Sequence, residues 1–533
     1  MQVNSRSLTI FISSVVVLIL SLMAPLSVLY SVSFLPSVSL VDVFGIHSLT
    51  LFFNSLMLYG TVTIFAVVIS VPIAYFLSRI KIIFRYPLLI LFISPLFVPS
   101  YIHALSWSRM TSENSIFYPV TNLIFDETAI NLSLDGWMGA VWVLSISYYP
   151  IILLSVYFAC LRWNKRYYNA AILLGTPIRA FFLELKYLQI PILLSALLVF
   201  ILSFSDFAVP DLFQIRTFST EIFIQLSAYL DKGTAIAMSF LPMIFFIIML
   251  AYISKKMSNM ATTGEIGAHC ILFENSTWRY PLFILMWLFA LIIVVMPLIN
   301  LIHMSKDLTT ITRAYSMISN DLLTSIIIAG VVSIIAVSTA LFVSYGYIRN
   351  RLIAKKWIRT IMIMTLVLPA SLVSLGLIQI WNRDGWMGWF YQSGLVLIIG
   401  LVVRWLPIVF ELLLLGWGQI NRNQESAGYT VGMSWWRTIK TILFPQLKPA
   451  ILIAFLICFI LAFNEMTMVV LLSPPGLSVL PTRIYSTIHY GPDNLLAAIC
   501  LIQISFLYIL FGFLVYTIKR HISKVRGIEV AVT

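Results

Sequence analysis

The sequence predicts an all-α integral membrane protein with about twelve transmembrane helices arranged as two homologous six-helix halves. Of its 533 residues, 61% are hydrophobic and only 10% are charged, whereas soluble proteins carry about 25% charged residues. Apolar runs of about 18–25 residues recur from end to end, and each is long enough to cross a bilayer. Helices are expected because lipid offers no hydrogen-bond partner to an open backbone.

The apolar runs give twelve predicted spans. They cover residues 8–34, 50–78, 84–107, 138–161, 187–206, 236–254, 281–304, 322–348, 358–381, 394–417, 449–472 and 495–518. The first run is too long for the core of a signal peptide, so we expect it to be retained as a helix. The four cysteines show neither metal-ligand spacing nor a disulfide framework, and no cofactor is expected.

The positive charges predict the orientation of the helices. If both termini are cytoplasmic, 25 of the 33 Lys and Arg residues fall in cytoplasmic segments, as the positive-inside rule requires. The net charge of +13 is therefore explained by cations at the cytoplasmic ends of helices in the lipid bilayer. Nucleic acid is not an expected partner. We therefore predict a multi-pass protein of a bacterial inner membrane with both termini in the cytoplasm.

The two halves of the chain resemble each other. Asn54–Arg79 aligns without gaps on Thr324–Arg349 at an offset of 270. Further pairs occur in the same order, at offsets of 270 and then 257: Pro99 with Pro369, Pro150 with Pro407, and Gly175 with Gly432. An even number of helices in each half predicts parallel repeats related by an axis along the membrane normal. The predicted division is a first repeat over 1–254, a cytoplasmic linker over 255–280 and a second repeat over 281–533.

A long cytoplasmic loop in each half has the pattern of a docking element. Small residues are followed by a glycine that ends a helix, and a proline stands near the next membrane helix, where a first turn tolerates it. The residues in the first loop are Asn169, Ala170, Ala171, Gly175 and Pro191. Those in the second loop are Glu425, Ser426, Ala427, Gly432 and Pro445.

These loops resemble the motif of ABC-importer permeases, Glu-Ala-Ala, three residues, Gly, nine residues, Ile-x-Leu-Pro. The second loop keeps the spacing of Gly432, Ile442 and Pro445 but has Glu425 one place early, and the first has Asn169 in place of the glutamate. The resemblance implies that both loops are coupling helices that contact two cytoplasmic ABC ATPase subunits. It also implies a solute-binding protein on the outer face.

The double length and two short motifs are similar to the ferric-iron type within the type I importers. The motifs are Ser205-Asp206-Phe207 and Thr482-Arg483-Ile484-Tyr485 with Ile488-His489-Tyr490-Gly491-Pro492. Members of this subgroup serve iron, thiamine, phosphonate and polyamine uptake. Ferric iron is the best prediction from the resemblance, and the other substrates stay open.

Four charged residues lie inside or beside predicted spans. Asp206 and Glu465 each lie about 30 Å along a helix from a cytoplasmic loop, near the outer end of that helix. They either form a negatively charged opening of a translocation path or cap helix ends. Arg404 and Glu411 share one helix face, and each either lines a path or finds a structural partner on another helix, since charges inside a membrane are costly.

Two other classes of protein compete with an importer permease. A twelve-helix, ion-coupled secondary transporter predicts several midplane charges, and it does not explain the repeated loops. A membrane-embedded enzyme predicts a clustered polar site, and the sequence has no such cluster. No Gly-Lys dipeptide occurs, so a P-loop is absent, and ATP hydrolysis would have to come from separate subunits.

Overall fold

The computed structural model describes residues 12–23, 25–26, 45–79, 84–111, 115–117, 135–162, 177–229, 231–258, 279–349 and 355–532. No strand occurs in these residues. The helices up to the predicted linker are Ile12–Met23, Ile46–Arg79, Arg85–Ile93, Ser100–Ser108, Gly136–Arg162, Pro177–Ser205, Ala208–Leu212, Phe218–Ser227 and Lys232–Ser258. The later helices are Arg279–Met304, Leu308–Ile348, Lys355–Val367, Ala370–Trp381, Trp386–Gln392, Leu395–Gly418, Arg422–Thr430, Trp435–Thr438, Phe444–Asn464, Thr467–Leu472, Leu480–Tyr490 and Asp493–Val532.

The described helices confirm an all-α integral membrane protein. Eight of them are long and apolar enough to cross a membrane, and two bent helix pairs raise the number to ten. The remaining two of the twelve predicted spans fall on Ile12–Met23 and Lys232–Ser258. Large apolar side chains such as Ile64, Val68 and Ile509 are exposed on the outside of the bundle, where lipid takes the place of a protein core.

Both bent pairs break at prolines that the sequence aligned at an offset of 270. The chain turns by 96° between Arg85–Phe97 and Ser100–Ser108, and by 100° between Trp357–Val367 and Ala370–Trp381. Pro99 and Pro369 precede the second helix of each pair with nearly identical dihedral angles (φ −56°, ψ 141° and φ −55°, ψ 140°). Proline causes such breaks because it removes a backbone donor and clashes with the preceding turn.

The halves also share hydrogen bonds at corresponding positions. The Phe218 amide donates to Ser55 Oγ (2.8 Å), and the Leu480 amide donates to Ser325 Oγ (2.8 Å). These recurrences support the predicted duplication. The division at residues 255–280 stays a prediction, because most of that segment lies outside the described residues.

Two apolar clusters form the interior, one mainly from each half. In the first half, Ile46–Arg79 packs most extensively on Gly136–Arg162, and in the second half Leu308–Ile348 packs on Leu395–Gly418. A separate small cluster near the predicted second loop joins Tyr345, Trp417, Ile420, Trp435, Leu443 and Leu447. Two features of this packing bear on function. They are the small cluster near the second loop and a cavity between the halves.

Candidate functional site

The second predicted loop contains a short helix, Arg422–Thr430. Asn421 caps its start, since its side-chain Oδ1 accepts from the Asn423 amide at 2.9 Å. Gly432 ends it with a φ of +77°, and the Gly432 and Met433 amides donate to the carbonyls of Tyr429 and Gly428. This is the left-handed helix termination that glycine allows.

Glu425 faces into the protein from this helix. Its side chain is 6% exposed and forms an ion pair with Arg349, with Nε and Oε2 2.9 Å apart. The hydroxyls of Tyr345 and Tyr429 also donate to Glu425 Oε1. The helix is therefore tied to the end of the membrane helix Leu308–Ile348, and its acid points into the protein rather than to the exposed face.

Close packing fixes the same helix to the segment that follows it. A Cβ atom on Gly428 would lie 2.9 Å from Thr438 Cγ2 and 3.2 Å from Ile442 Cδ1. An alanine would force Thr438 or Ile442 to shift, which accounts for Gly428 at the third position of the motif, where the family has alanine. The Trp435 indole N–H donates to Tyr345 Oη at 3.3 Å, so the turn after the helix contacts the same membrane helix.

The outward face of the second loop carries mostly small residues. Ser426, Ala427, Gly432 and Pro445 are exposed, and Val431 is 77% exposed. Pro445 lies in the first turn of Phe444–Asn464, as predicted.

The first loop is described only in part. Asn169, Ala170, Ala171 and Gly175 lie outside the described residues. Pro191 lies inside the helix Pro177–Ser205 rather than near its start, and its carbonyl accepts from Ser195 Oγ at 2.6 Å.

The first half has a related buried ion pair with a different acid. Arg79, which aligns with Arg349, pairs with Glu184 of the helix Pro177–Ser205, and both side chains are fully buried. In each half, an arginine at the end of that half's second predicted span therefore forms an ion pair with an acid. The acid comes from the segment between the fourth and fifth spans of the same half. The acid belongs to the exposed loop helix only in the second half.

A cavity of about 250 Å³ lies between the halves. Eight pairs of lining residues are related by offsets of 257 or 259: Ser147 and Arg404, Tyr148 and Trp405, Ile151 and Ile408, Leu198 and Ile457, Leu202 and Leu461, Ser205 and Asn464, Asp206 and Glu465, Ala208 and Thr467. Three predicted path residues, Asp206, Arg404 and Glu465, thus line one cavity.

The two acids are helix caps as well as cavity residues. Asp206 Oδ1 accepts from the Val209 amide at 3.2 Å, and Glu465 Oε1 accepts from the Met468 amide at 3.4 Å. Each caps the short helix that follows a break in the chain. The two alternatives for these acids, a cap and a lining residue, are therefore compatible.

Arg404 bonds to groups made available by the break at Pro369. Its Nη1 donates to the carbonyls of Leu368 (2.9 Å) and Leu366 (3.2 Å), and its Nη2 donates to Ser205 Oγ (2.9 Å). Neither Asp206 nor Glu465 lies within ion-pair distance of Arg404 in the described chain.

Glu411 lies apart from the cavity lining. It forms a bidentate pair with Arg359, at 2.8 and 3.2 Å, and both side chains are about a third or more exposed. A partner on another helix was one of the two alternatives for this residue, and its place in a path stays a prediction.

Sequence reasoning missed several lining residues. Ser100, Tyr148, Ser205, Trp405 and Asn464 all contribute to the cavity. The repeat offsets could have indicated four of the five. Tyr148 pairs with Trp405, and Ser205 pairs with Asn464, at positions next to the predicted charged residues or to their equivalents in the other half. Their contacts depend on long-range packing, which periodicity does not encode.

The described residues thus combine two similar sets of membrane helices, a shared internal cavity and a short helix braced against a membrane helix. Residues 346–525 match the family described as binding-protein-dependent transport system inner membrane component. Residues 346–525 thus form a binding-protein-dependent transport permease domain, and the chain is similar over most of its length to a ferric-iron permease. It is a multi-pass inner membrane protein. The family and its relatives are transporters rather than enzymes.

Three relatives illustrate the range of this class. The Fe(3+)-transport system permease protein FbpB 2 of Haemophilus influenzae is 21% identical over 81% of this chain and 83% of that protein. The thiamine transport system permease protein ThiP of the same organism is 28% identical over 33% of this chain and 36% of its own length. The ferric transport system permease protein FbpB of Actinobacillus pleuropneumoniae is 24% identical over 56% of this chain and 46% of its own length. The chain therefore spans less than half the length of two of these three relatives.

Proposed function

We propose that this chain is the membrane-spanning subunit of an ATP-driven importer and passes a small solute into the cytoplasm by alternating access. A solute-binding protein delivers the solute to the outer face, and two cytoplasmic ABC ATPase subunits supply the energy. Both termini are cytoplasmic in this proposal, because that orientation puts most of the cations inside.

The braced helix Arg422–Thr430 is the observation that carries the proposal. A rigid link is needed if movement of an ATPase subunit is to reach a membrane helix, and the buried pair of Glu425 and Arg349 provides one. The exposed small residues on the other face of the helix leave room for a close partner. The proposed coupling residues are Asn169, Ala170, Ala171, Gly175, Pro191, Glu425, Ser426, Ala427, Gly432 and Pro445.

The cavity between the halves is the proposed translocation path. The charged residues of the cavity are Asp206, Arg404 and Glu465. Glu411 lies outside the cavity and is included in the proposed path from the sequence pattern. Two carboxylates against one guanidinium leave a net negative charge, which attracts a cation. Ferric iron is the substrate that the resemblance favours, and thiamine or a polyamine would also be cationic.

Co-purification from the native membrane tests the coupling. Ala427→Asp introduces a charge on the exposed face of the braced helix, and we expect it to abolish retention of an ATPase subunit. Asn382→Asp makes the same charge change at another exposed position and should leave retention intact. If the unmodified chain retains no ATPase and moves a solute down an ion gradient alone, the secondary transporter is the correct class.

A further inference from the structure

Two short sequence motifs meet between the halves. Phe207 belongs to the first, Ser205-Asp206-Phe207, and Tyr485 belongs to the second, Thr482-Arg483-Ile484-Tyr485. The centroids of the Phe207 and Tyr485 rings are 5.8 Å apart, and the Phe223 ring lies 4.9 Å from the first and 5.7 Å from the second. These three rings form an aromatic cluster that joins the first half to the second.

The aromatic cluster lies next to the cavity, at the end away from the predicted cytoplasmic loop. The helix Pro177–Ser205 runs from the side of that loop to the cavity, and Phe207 follows it. Asp206 and Ala208 line the cavity, while Phe207 between them is only 1% exposed. In the proposed orientation, the cluster therefore lies at the outer end of the path.

A polar contact joins the same two segments. Asp211 Oδ2 lies 3.5 Å from His489 Nε2, and the Tyr485 hydroxyl donates to the same oxygen at 3.4 Å. The other ring nitrogen of His489, Nδ1, lies 2.9 Å from the carbonyl oxygen of Tyr485, which accepts but does not donate. Nδ1 therefore carries a hydrogen, and a hydrogen bond between Nε2 and Asp211 requires one further proton.

We infer that these residues form a gate at the outer end of the path, with the aromatic cluster as its seal and the Asp211–His489 contact as a proton-dependent latch. The inference rests on the proposed function, since it assigns the outer closure of the proposed path. Solute enters when the helices Ala208–Leu212 and Leu480–Tyr490 separate, which parts the rings and breaks the latch.

The latch gives the gate a defined dependence on pH. Histidine exchanges its second proton between about pH 5 and 8. Below this range His489 is a cation and pairs with the Asp211 carboxylate, so the closed gate is stabilised. As the pH rises, His489 loses the proton, the ion pair is lost, and the gate opens more easily.

Other titratable groups near the latch do not take over this role. Three acids on neighbouring helices bond elsewhere: Asp321 to Arg483 (2.7 Å), Asp493 to Arg109 (3.0 Å) and Glu221 to Gln225 (2.9 Å). The rings of Tyr485 and Tyr490 lie 4.5 and 6.2 Å from the His489 ring, and tyrosine hydroxyls stay uncharged in this pH range. Among the described residues, the acid paired with His489 is therefore Asp211.

Cysteine labelling from the outer side tests the gate. Ala208→Cys places a thiol on the cavity wall, next to the aromatic cluster. In sealed, right-side-out membrane vesicles without ATP, a membrane-impermeant methanethiosulfonate reagent reaches this thiol only through the open gate. The chain without the added cysteine gives the background, and size-exclusion elution shows that each variant is folded.

Two variants separate the latch from the seal. In the Ala208→Cys chain, His489→Phe keeps a ring but has no proton to exchange. It should raise the labelling rate about twofold to fivefold at pH 5.5, as expected for a partly exposed ion pair, and leave the rate unchanged at pH 8. Tyr485→Ala removes part of the seal and should raise the rate at both pH values.

Each variant is compared with its parent at the same pH, so the pH dependence of the thiol itself cancels. His47→Phe is the matched control, because His47 is an exposed histidine whose acidic neighbour, Glu221 at 3.9 Å, belongs to the same half. It should leave the labelling rate unchanged at both pH values.

The outcomes distinguish the gate from the proposed function. A rise in His489→Phe at pH 5.5 alone, with His47→Phe unchanged, supports the latch. No rise at pH 5.5, or an equal rise at pH 8, overturns it, and unchanged labelling in Tyr485→Ala overturns the seal. Labelling requires no ATPase, so loss of the ATPase from the unmodified chain would contradict the proposed function without altering this result.

Discussion

Glu425 and Arg349 form a buried ion pair that joins the exposed loop helix to a membrane helix, with 2.9 Å between Oε2 and Nε. The family motif has its acid one place later, where Ser426 is exposed in this chain. The shift turns the acid from the surface to the interior. The pair therefore braces the loop helix from within, and the helix has no acid on its exposed face.

Breaking this pair should uncouple the loop helix. Removing one partner of a buried ion pair costs about 3–5 kcal/mol, so Glu425→Gln should lower the midpoint of thermal unfolding in detergent and reduce ATPase retention. Glu411→Gln breaks the half-exposed pair with Arg359 and should cost about 0–1 kcal/mol. Equal losses of stability in the two variants would contradict the bracing role of Glu425.

Gly428→Ala should disturb the packing behind the loop helix. The added methyl meets Thr438 Cγ2 at 2.9 Å, and overpacking of this kind costs about 1–3 kcal/mol. Thr438→Ser removes that methyl and keeps the hydroxyl, so the double variant should recover stability and ATP hydrolysis by the assembled complex. A double variant no better than Gly428→Ala would show that the Thr438 methyl is not the cause.

Gly432→Ala tests the helix termination by backbone conformation alone. No atom lies within 4 Å of the new Cβ, so the expected cost of about 1–2 kcal/mol comes from the positive φ of +77°. Gly60→Ala, in an open position inside a helix, should be neutral or stabilising by comparison. Unfolding in denaturant compares the two variants, and an unchanged Gly432→Ala would exclude a strained cap.

Arg404→Lys should impair transport although the charge is kept. The guanidinium donates to two carbonyls and to Ser205 Oγ in different directions, and a lysine ammonium does not reproduce that planar fork. Each unsatisfied buried group costs about 1–3 kcal/mol, so solute uptake should fall at least tenfold. Arg383→Lys, at an exposed arginine, is the control, and normal uptake in Arg404→Lys would contradict the need for the fork.

The sequence was most informative where chemistry is local. Pro99 and Pro369 break their helices because proline does so in any context, and Gly432 ends a helix because it tolerates a positive φ. The repeat offset of 270 relates the two prolines from the amino-acid pattern alone. Asp206 and Glu465 also correspond, though at an offset of 259 that the loop alignment does not give.

The sequence was least informative where orientation depends on tertiary packing. Whether Glu425 faces inward is decided by the rotation of a short helix against Leu308–Ile348, and a spacing motif cannot report that rotation. Arg404 and Glu411 share one helix face but have different surroundings, because the first meets the break at Pro369 and the second meets Arg359. The prediction of Pro191 as a helix-start proline failed because the helix begins earlier, at Pro177.

Transport in reconstituted vesicles shows whether ATP drives solute movement through this chain. The chain and its co-purified ATPase are placed in proteoliposomes without any ion gradient, and solute movement is followed on addition of ATP and the solute-binding protein. We expect uptake that requires both additions and is lost in Glu425→Gln. No uptake under these conditions, together with uptake by the chain alone once an ion gradient is imposed without ATP, would contradict this mechanism.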